Sequence, residues 1–333
     1  MNEGFRQALA NGYEHVSAWA DLLDRINVFP VPDRDTGRNL VISLAPLRQL
    51  NLEDEDLIQT LLMSARGNSG NIGSRFIEGF LAPDLPLAER ASRGRDLARA
   101  SVADPKPGTM LSLFDTFVQA LEKRGSREDP KWATGIVNDL EQSVHATTQQ
   151  LPALKRAKVV DAGALGMFLF FDGFLHALVG RTTTERRLAD RFPEMLSCSP
   201  QKPDQIESGF CVDAVLQTDN LKDEDLAGLT NLGRDLVTIR QGEYLKIHLH
   251  TDDEKQAREK LAKMGKVVRW AWDNLGEQIE NFQHPVVRQA IHIMTDAAGS
   301  ITRKNANELG ITLLDSYIFL GNLCVPETHL ESS

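Results

Sequence analysis

The sequence predicts a multidomain chain, with an all-α domain over residues 1–180, a small α+β domain over 208–285 and an incomplete α/β segment over 286–333. Three observations support this division. Apolar residues recur at helical spacing through the first 180 residues, strand-length apolar runs begin near residue 209, and a strand–helix–strand pattern follows residue 290. A length of 333 residues also fits about two domains of roughly 150 residues each.

The all-α domain is predicted to contain about eight helices. The first covers residues 5–26, where these apolar side chains follow the helical period: Phe5, Leu9, Val16, Trp19, Leu22, Leu23 and Ile26. Further helices are predicted at 38–50, 54–65, 69–81, 86–103, 109–124, 131–150 and 164–179. Such a series without a convincing strand is typical of an all-α bundle or barrel. The last helix is strongly apolar, which predicts core packing rather than a lipid channel.

The region after residue 180 changes in character. Residues 181–207 are polar and contain three prolines, so they are predicted to form a linker. The α+β domain follows the order βαββαβ, which is typical of a split-βαβ sheet. Its strands are predicted at 209–217, 235–240, 244–250 and 266–272, and its helices at 224–232 and 253–264. In the last segment, strands at 290–295 and 311–319 flank a helix at 300–309.

Composition excludes several classes of function. A net charge of −10 argues against binding to nucleic acid. Cys198, Cys211 and Cys324 are odd in number and lack the spacing of a disulfide framework, which indicates a reducing compartment. The first residues lack the pattern of a signal peptide, and no apolar run is long enough for a transmembrane segment. We therefore expect a cytoplasmic protein.

The segment 27–39 contains two carboxylates on a short, proline-stiffened loop. Asp33 and Asp35 repel each other unless a cation lies between them, and Mg²⁺ favours a few such oxygens together with phosphate. Asn27 could supply a further oxygen. Thr36 and Gly37 follow at the start of a predicted helix, where free N–H groups suit phosphate. The alternative is that one aspartate only caps this helix.

Three further loops open helices. Asn68, Ser69 and Gly70 could bind phosphate through backbone and side chain, or could form a plain N-cap. Thr109 and Met110 also read as a simple helix start. Asp161 precedes the last helix and could contact a nucleotide or serve as its cap.

His248 and His250 are two residues apart on a predicted strand, so both lie on one face. With Cys211 they form a plausible Zn²⁺ ligand set that leaves a position open. In a split-βαβ sheet, however, Cys211 and the histidines would lie at opposite ends of parallel strands. Two alternatives stay open: ordinary hydrogen bonds, or acid–base and charge-stabilising roles as catalytic residues that face a partner's substrate.

The segment 27–39 resembles the signature NVFPVPDGDTGTN of the fatty acid kinase ATP-binding subunit family, whose members carry a dihydroxyacetone-kinase L-type domain. Residues 65–70 resemble its ARGNSG element, 108–111 its Gly-Thr-Met/Ile-Leu stretch and 159–166 its VVDSGGQG turn. The four matches follow the order of the family. The resemblance implies an eight-helix antiparallel barrel that binds a nucleotide at one end.

The same resemblance implies site residues. Asp33, Asp35 and Asn27 would hold Mg²⁺ against the phosphates of ATP. The phosphates would contact Thr36, Gly37, Asn39, Asn68, Ser69 and Gly70, and the rest of the nucleotide would contact Thr109, Met110 and Asp161. Arg34 replaces the usual Gly and Arg38 a small residue, so each either adds a phosphate contact or crowds the loop.

The later segments resemble other parts of the same system. Residues 210–211 and 247–251 resemble the "YC" and "VHVHT" elements of the family's middle domain, which supports the Cys211, His248 and His250 zinc set. Residues 291–300 with 309–313 resemble the first βαβ unit of DegV-type lipid-binding proteins, with Ala297 in place of a Ser. The chain is therefore predicted to be part of a fused kinase and lipid carrier.

These features together predict phosphoryl transfer from MgATP to a fatty acyl carboxylate that a DegV-type domain or partner presents. One alternative is a kinase for a small hydroxyketone, against which the middle domain argues. The other is a nucleotide-binding scaffold without activity, which Arg34 and the partial last segment would favour. Proteins that the chain resembles tend to dimerise, so a homodimer is also expected.

Overall fold

The chain divides into two units in a computed structural model, Met1–Ile279 and Glu280–Ser333. The structure describes residues 2–49, 53–82, 84–125, 129–180, 187–196, 209–218, 226, 228–276, 293–296, 306, 309, 311–314, 317–320 and 323–326. The first unit contains both a helical domain and a four-stranded sheet. None of the described helices has the length and apolar character needed to span a membrane.

The helical domain follows the predicted series with local changes. Its helices are α1 Glu3–Ala18, α2 Ala20–Ile26, α3 Thr36–Leu44, α4 Asp54–Ser64, α5 Gly67–Phe80, α6 Leu87–Ser101, α7 Met110–Arg124, α8 Pro130–Gln150, α9 Pro152–Ala157, α10 Ala162–Leu178 and α11 Leu188–Arg191. The helix predicted at 5–26 is interrupted at Trp19, whose backbone is not helical. The end of the helix predicted at 38–50 is a 3-10 turn at Ala45–Arg48.

Aromatic rings form the centre of the helical core. The rings of Phe76 and Phe114 stack at 4.2 Å between centroids, and those of Phe117 and Phe171 stack at 4.1 Å. Helix α10 is buried along nearly its whole length, as its apolar sequence predicts. It packs against α1, α7 and α8, and so fixes the loops that precede it.

Part of the predicted linker belongs to the helical core. Leu188 and Phe192 are buried in it, and the guanidinium of Arg191 lies 2.9 Å from Glu141 and 3.3 Å from Asp172. A buried charge is stabilised only when it is paired in this way. The polar composition that indicates a linker therefore includes a buried ion pair, and residues 187–196 complete the helical domain.

The sheet contains the strands β1 Phe210–Gln217, β2 Arg234–Gln241, β3 Tyr244–Thr251 and β4 Lys266–Asn274, with α12 Glu254–Ala262 between the last two. Its order is β2–β3–β1–β4, which is that of the predicted split-βαβ sheet, but β1 and β3 run antiparallel, so the parallel pairing expected for them is wrong. Residue alternation predicts which face a side chain occupies but not the direction in which a neighbouring strand runs. In the described part of the helix predicted at 224–232, Leu229–Asn231 form a 3-10 turn.

The two faces of the sheet have different partners. Val212 and Ala214 lie opposite Leu249 and Ile247, and they form a core with Leu261 of α12. The alternate residues of β1 and β3 face the helical domain. There the ammonium of Lys246 donates to the carbonyls of Leu62 and Ala65, where α4 ends. A backbone bond from Ala103 to Leu236 joins the start of β2 to the segment after α6.

In the second unit, strands β5 Met294–Asp296 and β6 Thr312–Leu314 pair in parallel, as the predicted α/β segment requires. The strand predicted at 311–319 is divided between β6 and β7 Tyr317–Leu320. Strand β7 pairs in antiparallel fashion with β8 Leu323–Pro326. Most of the predicted helix at 300–309 lies outside the described residues.

Candidate functional site

The acidic loop joins α2 to α3 and places its carboxylates in a narrow pocket. Asn27 and Asp33 are 3% and 7% exposed, and the Asn27 amide donates to the Asp33 carboxylate at 2.7 Å. The other amide atom, Asn27 Oδ1, is buried without a hydrogen-bond partner among the described residues. Asp35 occupies the N-cap position of α3, yet its side chain makes no capping bond there. The Asp35 carboxylate is thus not used as the helix cap, and it lines the pocket with Asp33.

Burial raises the pKa of Asp33 well above its usual range, and the neighbouring Asp35 carboxylate raises it further. A cation between the two carboxylates would remove this repulsion and would also bind Asn27 Oδ1, which lacks a partner among the described residues. The pocket has a cavity volume of about 20 Å³, which is room for one ion or water. Oxygen donors from two carboxylates and an amide are the ligands that Mg²⁺ prefers. The residues present therefore fit a magnesium ion.

The N-terminus of α3 has a partner of its own within the chain. Asp24 of α2 accepts the N–H groups of Gly37 at 2.6 Å and Arg38 at 3.2 Å. Burial raises the pKa of Asp24 to about 7, although these two hydrogen bonds lower it. Sequence spacing gave no sign of this contact, because Asp24 lies inside an ordinary helix. Gly37 thus donates to a carboxylate and does not line the pocket, whereas Thr36 does.

Gly37 instead allows α2 and α3 to approach each other. A Cβ at this position would overlap the carbonyl oxygen of Ala20 and lie 2.7 Å from its carbonyl carbon. We expect Gly37→Ala to lower the free energy of unfolding by about 3 kcal/mol, because backbone cannot move aside cheaply. Urea unfolding measures this. Gly4→Ala is the control, since the nearest atom to its Cβ is 3.8 Å away. Equal effects of the two substitutions would contradict the close approach.

The start of α5 forms the second wall. Gly67 has a φ of +58°, and a side chain on it would overlap the amide of Asn39. Asn68 and Ser69 line the pocket in the first turn, and Ser69 Oγ donates to the carbonyl of Thr36 at 3.3 Å. Asn39 and Gly70 do not line it. They pack α3 against α5, where a Cβ on Gly70 would lie 2.9 Å from the Asn39 carbonyl oxygen.

A larger pocket opens from the same loops. Its cavity volume is about 570 Å³, within the range of pockets that hold small ligands. It shares Pro30, Thr36, Asn68 and Ser69 with the narrow pocket. It also brings together the predicted nucleotide residues Thr109, Met110 and Asp161. The opposite wall comes from the sheet domain, at residues 233–236.

Asp161 caps α10 and is buried in this wall. Its carboxylate accepts the N–H of Ala164 at 2.7 Å, so the cap that the sequence allowed is present. Burial raises its pKa to about 7, with the backbone hydrogen bonds from Ala164 and Met110 acting in the opposite direction. The protonated form is therefore favoured by folding.

We expect Asp161→Asn, which keeps the capping oxygen, to change how stability depends on pH. The carboxyl contributes to stability fully below its unfolded pKa of about 4, and this contribution is lost as pH rises through about 7. The variant should therefore gain stability relative to wild type between about pH 4 and 7, by up to a few kcal/mol. Urea unfolding at several pH values measures this. The same pH profile in Asp129→Asn, at the exposed N-cap of α8, would contradict it.

Cys211, His248 and His250 form the third wall of the narrow pocket. Cys211 lies directly opposite His250 in the antiparallel register, so the expected separation of Cys211 from the histidines is wrong. One ligand atom from each residue lies within 4.8 Å of the others, and all three residues are buried. The Nε2 atom of His248 has no hydrogen-bond partner in the described part of the chain. This set fits Zn²⁺, with a fourth position that faces the acidic loop.

Each histidine is oriented by a carboxylate. The Nδ1 atom of His248 lies 3.3 Å from Asp213, and that of His250 lies 3.0 Å from Asp235. Although burial alone would raise the pKa of Asp213, His248 and Lys246 hold it well below its usual range. The pKa of Asp235 is lowered in the same way by His250. Such carboxylate–histidine pairs commonly orient metal ligands.

Sequence analysis missed both carboxylates. Asp213 could have been found from its position two residues after Cys211, which puts the two on one face of a strand. Asp235 could not be placed by residue alternation. It is the second residue of β2, and its left-handed backbone (φ +55°) interrupts the alternation of faces there. Burial, followed by the charges of Asp213 and Asp35, raises the pKa of the Cys211 thiol well above its usual value. A bound cation would act against that shift.

The fold is thus a helical domain with an acidic pocket, which an antiparallel sheet closes. Residues 30–176 match the DAK2 domain family, and residues 207–282 match the FakA-like middle domain family of fatty acid kinases. Two domain models of this kind therefore match consecutive parts of the chain, which confirms the resemblance drawn from the motifs of the helical and middle domains.

Similar proteins occur in bacteria. Protein YloV of Bacillus subtilis (strain 168) is 29% identical over 305 residues, which cover 82% of this chain and 55% of that protein. An uncharacterised protein of Staphylococcus aureus (strain USA300) is 29% identical over 318 residues, which cover 86% of this chain and 57% of that protein. The chain thus spans about half the length of the curated relatives it matches.

Proposed function

We propose that this chain binds MgATP and transfers the γ-phosphoryl group to a fatty acyl carboxylate presented by a DegV-type lipid-binding domain or partner. The observation that carries the proposal is the acidic loop, where Asn27, Asp33 and Asp35 meet in a narrow pocket that adjoins a nucleotide-sized one. Phosphoryl transfer requires a metal site next to a phosphate site, and here the two share Thr36, Asn68 and Ser69.

The nucleotide occupies the larger pocket in this proposal. Its phosphates lie beside the first turn of α5 and the hydroxyl of Thr36, where N–H groups and hydroxyls suit anions. The base and ribose lie toward Thr109, Met110 and Asp161. Mg²⁺ held by Asn27, Asp33 and Asp35 supplies charge neutralisation for the phosphates. The eight-helix antiparallel barrel expected of the family belongs to this proposal as well.

The transfer step sets what the remaining residues do. A carboxylate oxygen of the acyl group attacks the γ-phosphorus, the bond to the β-phosphate oxygen breaks, and ADP and an acyl phosphate result. The attacking carboxylate is already ionised at neutral pH, so no general base is needed. The negative charge that gathers as the two anions meet would be offset by protonated His248 and His250, or by a Zn²⁺ ion that these histidines and Cys211 would hold.

The proposal also includes a DegV-type acyl carrier, within this chain or as a partner, and a homodimer. The parallel pair β5–β6 supports a DegV-type segment within this chain, because such a βαβ unit begins with parallel strands. A kinase for small hydroxyketones has less support, since the helical domain is followed by a segment that matches the FakA-like middle domain.

Calorimetry of ATP binding, followed by an assay for acyl phosphate, tests the proposal. We expect ATP to bind with Mg²⁺ and to lose most of its affinity when EDTA is added. An acyl-loaded DegV-type protein should then yield ADP and acyl phosphate. Binding without turnover on any acyl carrier would favour the inactive scaffold, and absence of Mg²⁺-dependent binding would overturn the proposal.

A further inference from the structure

One carboxylate connects the sheet domain to the phosphate-binding turn. Asp213 Oδ2 accepts the N–H of Gly67 at 3.1 Å, which is the first residue of α5. Asp213 Oδ1 accepts from the Asn71 amide at 3.2 Å and from His248 Nδ1 at 3.3 Å. The same side chain therefore touches the start of α5 and the imidazole that faces the acidic loop.

The surroundings of this contact show that the sheet orients the turn between α4 and α5. Lys246 donates to the carbonyls of Leu62 and Ala65 at the end of α4, where the helix dipole is negative. Asp213 accepts at the beginning of α5, where the dipole is positive. The sheet thus presents a cation and an anion to the two helix ends that flank residues 65–67.

The hydrogen bond also determines which nitrogen of His248 carries the proton. An ionised carboxylate can only accept, so Nδ1 of His248 must donate to Asp213. The lone pair of the neutral ring then lies on Nε2, the buried atom without a partner among the described residues. In this state the ring can accept a proton or bind a cation in the pocket.

We propose that Asp213 is a positioning residue that sets the tautomer of His248 and the place of Gly67, Asn68 and Ser69 together, so that imidazole and phosphate turn form one site. The identity of the ligand at the turn rests on the proposed function, whereas the coupling itself does not. A role in the stability of the sheet alone would leave both the tautomer and the Gly67 amide unchanged.

The test compares Asp213→Asn with wild type in the whole chain. In wild type, the ¹⁵N shifts of the His248 ring should show the Nδ1–H tautomer, and the Gly67 amide should exchange slowly. In the variant, an NH₂ group replaces one of the two accepting oxygens, so either the His248 ring or the Gly67 amide loses its acceptor. The Nε2–H tautomer should therefore gain population, or Gly67 should exchange at least about tenfold faster. The control is Asp253→Asn, which alters the N-cap of α12 in the same domain.

The outcomes separate the coupling from the proposed function. The Nε2–H tautomer in wild type would overturn the coupling, and this measurement needs no variant to fold. Unchanged tautomer and exchange in Asp213→Asn would overturn it as well. If wild type binds MgATP, the variant should bind it about tenfold or more weakly while Asp253→Asn binds it as wild type does. If wild type does not bind ATP, the proposed function fails, and tautomer and exchange still decide the coupling.

Discussion

Asp33→Asn is expected to make the metal-free protein more stable while it lowers the Mg²⁺-dependent affinity for ATP by at least about 100-fold. The two effects have one cause. Burial and the Asp35 carboxylate raise the pKa of Asp33 in the folded protein, so its negative charge opposes folding when no cation is present. A carboxyl whose pKa is raised in the folded state loses its contribution to stability as pH rises through that pKa. An amide does not ionise, so the variant does not lose stability in this way.

The amide is a close replacement in shape. It keeps an oxygen that can accept from Asn27, as the carboxylate does at 2.7 Å. What it removes is one full negative charge from the candidate magnesium site, beside Asp35. Because hard cations bind through anionic oxygen, the loss falls on the metal and hence on the phosphates. We expect the gain in stability to be on the order of 1 kcal/mol.

Thermal unfolding with and without Mg²⁺ and ATP measures both effects in one series. Wild type should gain melting temperature when both ligands are added, by mass action. Asp33→Asn should start higher without ligands and gain almost nothing from them. The control is Asp21→Asn, an exposed carboxylate in the first turn of α2. A variant that is less stable without metal, or that still responds to MgATP, would contradict the assignment of Asp33.

The sequence could reveal Asp33, Asp35 and Asn27 because they are close along the chain. A short loop that contains several polar residues brings them together in almost any fold. Asp24 is different, since it reaches Gly37 only because α2 packs against α3. No local pattern in a helix indicates that one of its carboxylates caps the next helix.

The glycines illustrate a second limit. Gly37 and Gly70 belong to motifs that resemble phosphate-binding elements, and a ligand contact is the natural inference. In the structure both allow helices to approach closely, at Ala20 and at the α3–α5 contact. A glycine in a motif can serve close packing or ligand binding, and the sequence alone does not distinguish the two roles.

The sheet domain shows the third limit. Strand alternation correctly placed His248 and His250 on one face, but the direction of β1 relative to β3 depends on the path of the whole domain. With β1 between β3 and β4, Cys211 and Asp213 join the histidines on the face toward the acidic loop. The site therefore needs both domains, and neither domain would form it alone.

His250→Gln and Cys211→Ser are expected to reduce the rate of acyl phosphate formation by about 100- to 1,000-fold and to leave MgATP affinity nearly unchanged. Both residues line the narrow pocket together with the carboxylates of the acidic loop. Their loss removes the groups that offset charge as acyl carboxylate and γ-phosphate approach. In the proposed binding mode the nucleotide contacts Thr36, α5 and the far wall of the larger pocket, so its contacts remain.

Steady-state kinetics with saturating acyl carrier separate these effects, since kcat should fall while the Kd for MgATP from calorimetry stays within about threefold of wild type. Metal analysis of the purified proteins decides between the two ways in which the residues act. If Zn²⁺ mediates their effect, both variants should lose it, because each removes one of three ligands. If the variants keep their full zinc content, or if the wild-type protein contains no zinc, the side chains must act without a metal ion.

The control for this pair is His145→Gln, a half-buried imidazole on α8 that packs against Phe192 and lines neither pocket. It should retain wild-type kcat and affinity. A drop in kcat for His145→Gln equal to that for His250→Gln would show that the loss reflects general damage to packing. Unchanged kcat in His250→Gln and Cys211→Ser would remove the sheet face from the transfer step, and the acidic loop and α5 would have to catalyse it by themselves.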